Sequence, residues 1–336
     1  MIVGHASKLS AQSRVLMPGF TISLIVAAAA SFLSEHYQAP VMLFALLLGM
    51  TLSFVTDDDK CKPGVEFAAR TILRIGVALL GMRITLEQIA GLGWKPVVLV
   101  IALVFITIVV SVVAAEKLGF QRLLGLLTGG ATAICGASAA LALAAALPAH
   151  PQKERATLFT VIGVSALSTL AMILYPIIAQ VLGLSPDLAG IFLGATIHDV
   201  AQVVGAGYSV STEAGDTAIV VKLMRVAMLL PVLLCAAMIT RARGVEAGGK
   251  KPPVLPWFAV AFIVLASVNS FGWVASPVQG LINDLSRWCL IVAISALGMK
   301  TRLGELVSVG IKPILLMLAE TVFLAVLVLV LLYFCF

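Results

Sequence analysis

Two stretches of this sequence hold the residues best suited to chemistry. One reads Leu127-Thr128-Gly129-Gly130-Ala131-Thr132-Ala133-Ile134-Cys135-Gly136-Ala137-Ser138. The other reads Leu193-Gly194-Ala195-Thr196-Ile197-His198-Asp199-Val200-Ala201-Gln202. Both contain Gly-Ala-Thr, and both lie inside long apolar runs. Adjacent His198 and Asp199 set an imidazole that titrates near neutrality beside a carboxylate, a pair suited to a proton relay, a cation site or a helix-end contact. Each glycine weakens a helix by about 1 kcal/mol relative to alanine, so clustered glycines favour local unwinding. Unwound backbone at membrane depth offers oriented amides and carbonyls to a substrate or ion. The competing use of such glycines is close helix–helix packing.

Ionisable groups inside apolar runs are functional candidates by default. Arg74, Arg225 and Glu320 join His198 and Asp199 in that set. The two arginines are suited either to an anion or to an internal salt bridge, and Glu320 either to ion coupling or to neutralising an arginine. Arg70 and Lys222 lie near the ends of apolar runs and are expected to snorkel. Asn269 is expected to hydrogen-bond between helices. The candidate substrate-binding residues are therefore Thr128, Gly129, Gly130, Thr132, Cys135, Gly136, Ser138, Thr196, Gln202, Arg74 and Arg225, with His198, Asp199 and Glu320 as candidate ion-coupling groups. Ser138 and Ser165 lack a GxSxG context, and no nucleophile–base constellation is visible, so no enzyme activity is expected. Asp57-Asp58-Asp59 matches no calcium loop. The five cysteines are scattered without a CxxC pair, so neither a metal site nor a cofactor is expected.

The elements that must position these groups follow from composition. The chain has 336 residues, 61% of them hydrophobic and 11% charged, with a mean hydropathy of +1.12. Soluble domains are about 25% charged. An integral membrane protein is the reading, and the net charge of +6 does not point to nucleic acid. Eleven apolar segments can be delimited: 15–33, 39–55, 64–82, 96–115, 122–147, 157–182, 188–209, 217–240, 257–275, 281–299 and 313–336. The predicted fold is an all-α membrane protein with about eleven hydrophobic segments, inverted structural repeats, and two broken or re-entrant helices, segments 5 and 7. A cytoplasmic tail over 1–14 precedes a single transmembrane domain over 15–336. Lys8 and Arg14 precede a first run too long for a signal-peptide core, so that run is read as a retained span.

Loop Lys and Arg residues set orientation. If all segments cross, fourteen such residues fall on the side of the N-terminus, including Lys60, Lys117, Arg241, Lys251 and Lys312; six, including Arg83 and Lys153, fall opposite. That predicts a cytoplasmic N-terminus and an external C-terminus in the cell (inner) membrane. If segments 5 and 7 are instead re-entrant hairpins, one from each side, the 148–156 loop changes sides and the count becomes sixteen against four. Both topologies stay open on the sequence. An internal repeat appears at an offset of 217: Leu80-Gly81-Met82-Arg83 recurs as Leu297-Gly298-Met299-Lys300, and Leu86, Gly93 and Lys95-Pro96 match Leu303, Gly310 and Lys312-Pro313. Seven segments separate the copies, so they run in opposite directions, as in many secondary transporters.

The segments TGGATAICGASAALALAAALP and LGATIHDVAQVVGAG, with ALLGMRITL, resemble the YeiH family of bacterial membrane proteins across nearly the whole chain. That family is labelled as sulfate exporters and is grouped with cation:proton antiporters and anion transporters. The resemblance implies a secondary transporter of a small anion, such as sulfate or a related oxyanion or organic acid, coupled to protons or cations. Two alternatives remain: a cation/proton antiporter without an anion substrate, and a non-transporting membrane scaffold or enzyme. Expected partners are a small-molecule or ion substrate and the lipid bilayer, with no nucleic acid; a homodimer is left open.

Overall fold

A computed structural model describes residues 2–147, 152–242, 256–301 and 310–335. Part of the 148–156 loop, the basic residues Arg243, Lys250, Lys251 and Arg302, and Leu303 of the repeat lie outside the described residues. Every regular element among those described is helical. Among the described residues, six stretches are long and apolar enough to cross a membrane: Arg14–Tyr37, Lys95–Lys117, Lys153–Val181, Thr212–Ala236, Ser276–Lys300 and Ile311–Cys335. The membrane class read from composition is therefore met. The chain groups into two compact units, Met1–Ala90 with Trp257–Arg302 and Gly91–Pro256 with Leu303–Phe336.

The first unit contains α1 (Ile2–Tyr37), α2 (Val41–Thr51), α3 (Lys62–Phe67), α4 (Leu73–Leu79), α5 (Leu86–Gly91), and two later helices. A π-helical turn, Ala68–Ile72, joins α3 to α4. Helix α1 runs through residue 14 without a break. The later helices of this unit are Trp257–Ser270 and Ser276–Lys300, here α14 and α15. Helix α15 runs antiparallel to the 62–82 stretch. Ser286 Oγ donates to Gly76 O at 2.8 Å, Gln279 Nε2 donates to Met82 O at 3.1 Å, and Lys300 faces Glu66 at 3.9 Å. Asn269 donates to Ile84 O at 3.2 Å and accepts from Gln279 at 2.8 Å, the interhelical role expected of it.

The second unit contains α6 (Lys95–Lys117), α7 (Arg122–Ala133), α8 (Ala137–Ala146), α9 (Lys153–Val181), α10 (Pro186–Thr196), α11 (Val200–Val210), α12 (Thr212–Ala227), α13 (Leu229–Ala242) and α16 (Ile311–Cys335). The α12–α13 break at Met228 has a cause in Pro231, whose ring clashes with the carbonyl four residues earlier. Helices α6 and α16 are antiparallel, since Lys95 Nζ at the start of one donates to Cys335 O at the end of the other, 2.8 Å away.

Segments 5 and 7 do not cross. Each doubles back as a helical hairpin, so the re-entrant reading is the right one and the all-crossing topology is corrected. A Cβ at Gly130 would strike the Leu143 side chain. In one continuous helix those positions would be about 20 Å apart. For segment 7, α12 serves as a ruler. Gly190 and Gly194 of α10 pack in that order against Thr217 and Val221, so α10 and α12 are parallel. Gly207 of α11 packs against Gly215, so α11 and α12 are antiparallel across the Ser211 turn. Helices α10 and α11 therefore run in opposite directions. Between the two hairpins, α9 of 29 residues spans about 43 Å, so the hairpins enter the unit from opposite ends. Sequence length could not separate the topologies, because two arms of ten to twelve residues hold as many apolar residues as one span.

Candidate functional site

The two hairpin tips, 134–136 and 197–199, meet beside the middle of α9. Ser168, halfway along that helix, accepts the backbone N–H of Asp199 at 3.1 Å. Four helix ends converge there: the C-terminal ends of α7 and α10, and the N-terminal ends of α8 and α11. The last carbonyls of a helix have no partner within it. Here two cations of α12 supply those partners. Arg225 Nε donates to Ala133 O at 2.8 Å, Nη2 to Thr132 O at 2.6 Å, and Nη1 to Gly194 O at 3.1 Å and Ile197 O at 2.9 Å. Lys222 Nζ donates to Ile134 O at 2.7 Å, to Ile197 O at 3.0 Å, and to His198 O. Both side chains are buried.

This corrects two expectations. Lys222 does not snorkel. Ser211 begins α12 by accepting from Ala214 N at 3.0 Å, which sets Lys222 about 16 Å along that helix. Arg225 meets backbone carbonyls of both tips, and no carboxylate pairs with it among the described residues. Of the remaining candidates, Arg74 belongs to the first unit, where its side chain is exposed.

At the other side of the crossing, the helix N-termini hold an acid. Gly136 takes a positive φ of +62°, the turn that lets α8 start in a new direction. A Cβ there would collide with the Asp199 carboxylate. That carboxylate lies beside Gly136 at the start of α8, where the helix dipole favours negative charge. Asp199 is half-buried and Ser138 exposed, so the crossing is open on this face. Ser138 Oγ donates to Cys135 O at 3.1 Å, and Cys135 is buried in the tip. Gln202, in the first turn of α11, has a buried Oε1 with no hydrogen-bond partner.

His198 is fully buried between the hairpins and α16. Its Nδ1 faces Thr132 O at 3.2 Å and its Nε2 faces Thr321 Oγ1 at 3.0 Å. A carbonyl can only accept, so Nδ1 carries a proton. Glu320, the neighbour of Thr321, sits among hydroxyls of α6 and α7. Ser111 Oγ, Thr128 Oγ1 at 2.7 Å and Thr132 Oγ1 at 3.3 Å all approach its carboxyl group. Glu320 therefore neutralises no arginine.

The candidate list thus separates into parts. Cys135, Gly136, Ser138, His198, Asp199, Gln202 and Arg225 build the crossing. Thr128 and Thr132 serve Glu320 instead. Thr196 spends its hydroxyl on Phe192 O at 2.6 Å within its own helix. Gly129 and Gly130 stay helical and give room to Ser111 and Leu143, which is packing and not unwinding. Sequence reasoning missed Ser111, Ser168 and Thr321. Ser111 is an isolated serine in an apolar run, Ser168 belongs to the cluster Ser165, Ser168 and Thr169, and Thr321 adjoins an intramembrane acid; those signals were available.

The fold and the site define an all-α, multi-pass membrane protein with two opposed re-entrant hairpins meeting over buried charges. The chain belongs to the UPF0324 family: the family model described as "Conserved hypothetical protein 698" matches residues 18–317. It is 56% identical over 314 residues to a UPF0324 membrane protein of Chlorobaculum tepidum, covering 93% of this chain and 88% of the relative. It is 54% identical to the UPF0324 membrane protein TauZ of Paracoccus denitrificans, covering 93% of each chain. To the UPF0324 inner membrane protein YeiH of Escherichia coli K12 it is 35% identical over 284 residues, 82% of this chain and 80% of that one. The resemblance to YeiH-like proteins is thereby confirmed. No solved structure matches.

Proposed function

We propose that this protein is a secondary transporter that moves a small anion across the cytoplasmic membrane by alternating access, with the substrate held on the open face of the hairpin crossing. The observation that carries the reading is the charge at that crossing. Lys222 and Arg225 bring two positive charges, against about one negative charge from the two helix C-termini. Asp199 brings one negative charge, against about one positive charge from the two N-termini. With Glu320 uncharged, about one positive charge is left at the middle of the unit, the balance an anion needs. The N–H groups opening α8 and α11, Ser138, and the unpartnered Gln202 Oε1 would contact the substrate and a proton it carries.

The opposed hairpins support an inverted repeat. So do the matched copies 80–96 and 297–313, in which Gly93 and Gly310 take positive φ of +73° and +90° directly before a helix opened by Lys-Pro. The larger charge asymmetry that goes with two re-entrant hairpins supports a cytoplasmic N-terminus and an external C-terminus. In this reading the chain has no catalytic group, and sulfate or a related oxyanion or organic acid is the substrate class.

Thermal shift of purified protein against a panel of oxyanions and organic acids selects the substrate, and counterflow in proteoliposomes measures its transport. Asp199→Asn is expected to impair counterflow; undiminished transport would remove Asp199 from the site. A cation/proton antiporter is the second reading, favoured by the half-buried Asp199 and by the lack of a cation partner for Glu320 among the described residues. It predicts stabilisation by sodium or potassium and by no anion.

A further inference from the structure

The hydrogens around Glu320 can be counted. Ser111 Oγ lies 2.7 Å from Gly125 O and also within hydrogen-bond reach of Glu320 Oε1. Thr128 Oγ1 lies 3.0 Å from Leu124 O and 2.7 Å from the same Oε1. Each hydroxyl has one hydrogen; the two also face each other at 3.2 Å, and Thr128 Oγ1 lies 3.4 Å from Gly125 O. If the carboxyl group were ionised, the three oxygens Gly125 O, Leu124 O and Glu320 Oε1 could only accept. Two hydrogens would then serve six contacts, and Ser111 would hold its lone pairs against a bare oxygen. One more proton, on Oε1, removes the conflict. Glu320 Oε1–H donates to Ser111 Oγ, Ser111 donates to Gly125 O, and Thr128 shares its hydrogen between Leu124 O and Oε1, a common three-centre arrangement. Thr132 donates to Oε2.

No cation competes for that role among the described residues. Glu320 is 3% exposed and makes no ion pair there. The charged and titratable groups nearest to it act through intermediaries. Arg225 and His198 reach the Thr132 carbonyl, His198 also reaches Thr321, and Tyr175 Oη donates to Thr321 O at 3.5 Å. From α6 and α7 only hydroxyls face the carboxyl group.

We propose that Glu320 holds a bound proton in this conformation, caged by Ser111, Thr128 and Thr132, and that this is the proton whose release to water couples transport. The second half rests on the transporter reading; the first does not. The cage joins three helices, α6, α7 and α16, so any movement of the first hairpin against α16 opens it. Opening leaves an ionised carboxylate without donors, which must meet water or take back a proton before the cage closes.

Infrared difference spectroscopy of the purified protein at neutral pH tests occupancy. Wild type minus Glu320→Gln is expected to show a carboxylic-acid C=O band that shifts on exchange into deuterium oxide and persists in Asp199→Asn. Ser111→Ala is expected to keep the band and move it, because the acceptor of the proton changes; it also serves if Glu320→Gln does not fold. Only carboxylate bands at neutral pH, or loss of the C=O band when sodium replaces choline, would overturn occupancy. In proteoliposomes Glu320→Gln is expected to retain anion counterflow while acid-driven accumulation falls to the protein-free level. Acid-driven accumulation equal to wild type would overturn the coupling role. If wild type exchanges no anion, the transporter reading fails and the infrared band alone decides occupancy.

Discussion

Replacing Arg225 by methionine tests the central structural argument, that its guanidinium, alongside the Lys222 ammonium, ties the two hairpin tips together. The side chain makes four hydrogen bonds, two to carbonyls at the end of α7 and two to carbonyls of the α10 tip. Methionine fills similar volume and donates nothing. Side-chain hydrogen bonds inside membrane proteins average about 0.6 kcal/mol and reach about 1.7, so four of them total about 2.4 to 7 kcal/mol. That is a large part of a typical net stability of about 5–15 kcal/mol. Arg225→Lys keeps the charge but loses the planar fork, and an ammonium has three donors, so it is expected to fall between wild type and Arg225→Met. Denaturant titration in detergent micelles measures the order. A loss below about 1 kcal/mol for Arg225→Met, less than the four bonds supply even at their weakest, would refute the idea that the guanidinium is such a tie. A loss matching the prediction with unaltered counterflow would show a tie that transport does not need.

Three further outcomes follow from the same geometry. Gly136→Ala should cost about 1–3 kcal/mol for the positive φ and displace Asp199, so counterflow should fall further than the melting temperature; a stable and fully active variant would contradict the placement of Asp199. Gly194→Ala drives a methyl group into Ala218 O and should cost several kcal/mol, whereas Gly163→Ala meets only the flexible Met317 side chain and should cost under about 1 kcal/mol; thermal melts of the pair check the contrast, and equal losses would count against it. In a chain cleared of its native cysteines, cysteines at Arg122 and Gln152, the outer ends of the first hairpin, should label from one side of the membrane. Cysteines at Ser185 and Ser211 should label from the other. Labelling of 122 and 152 from opposite sides would restore the crossing topology.

The sequence made the weak points of segments 5 and 7 legible, but for partly wrong reasons. Clustered glycines suggested unwinding at 129–130, yet α7 continues through them and breaks at 134–136, where Gly136 alone supplies the turn. In segment 7 no glycine marks the break. It falls at Ile197-His198-Asp199, and Asp199, in extended backbone before α11, is a residue that favours helix starts. His198 and Asp199 were found because ionisable groups are rare at such depth. Lys222 was misread because its depth depends on where α12 begins, and hydropathy placed that start five residues late.

Composition alone determined the membrane class, because no soluble core can absorb so high an apolar fraction. The order of the apolar runs was equally set by the order of residues along the chain. Tertiary structure decided whether a run crosses or turns back, because both have the same length and composition. It also decided what each buried charge does. Helix-end carbonyls acquire a partner only where two chain breaks are brought together, and Glu320 acquires its hydroxyl cage only where α6 and α7 pack against α16. Those contacts join residues up to 209 positions apart, a separation that local pattern does not encode.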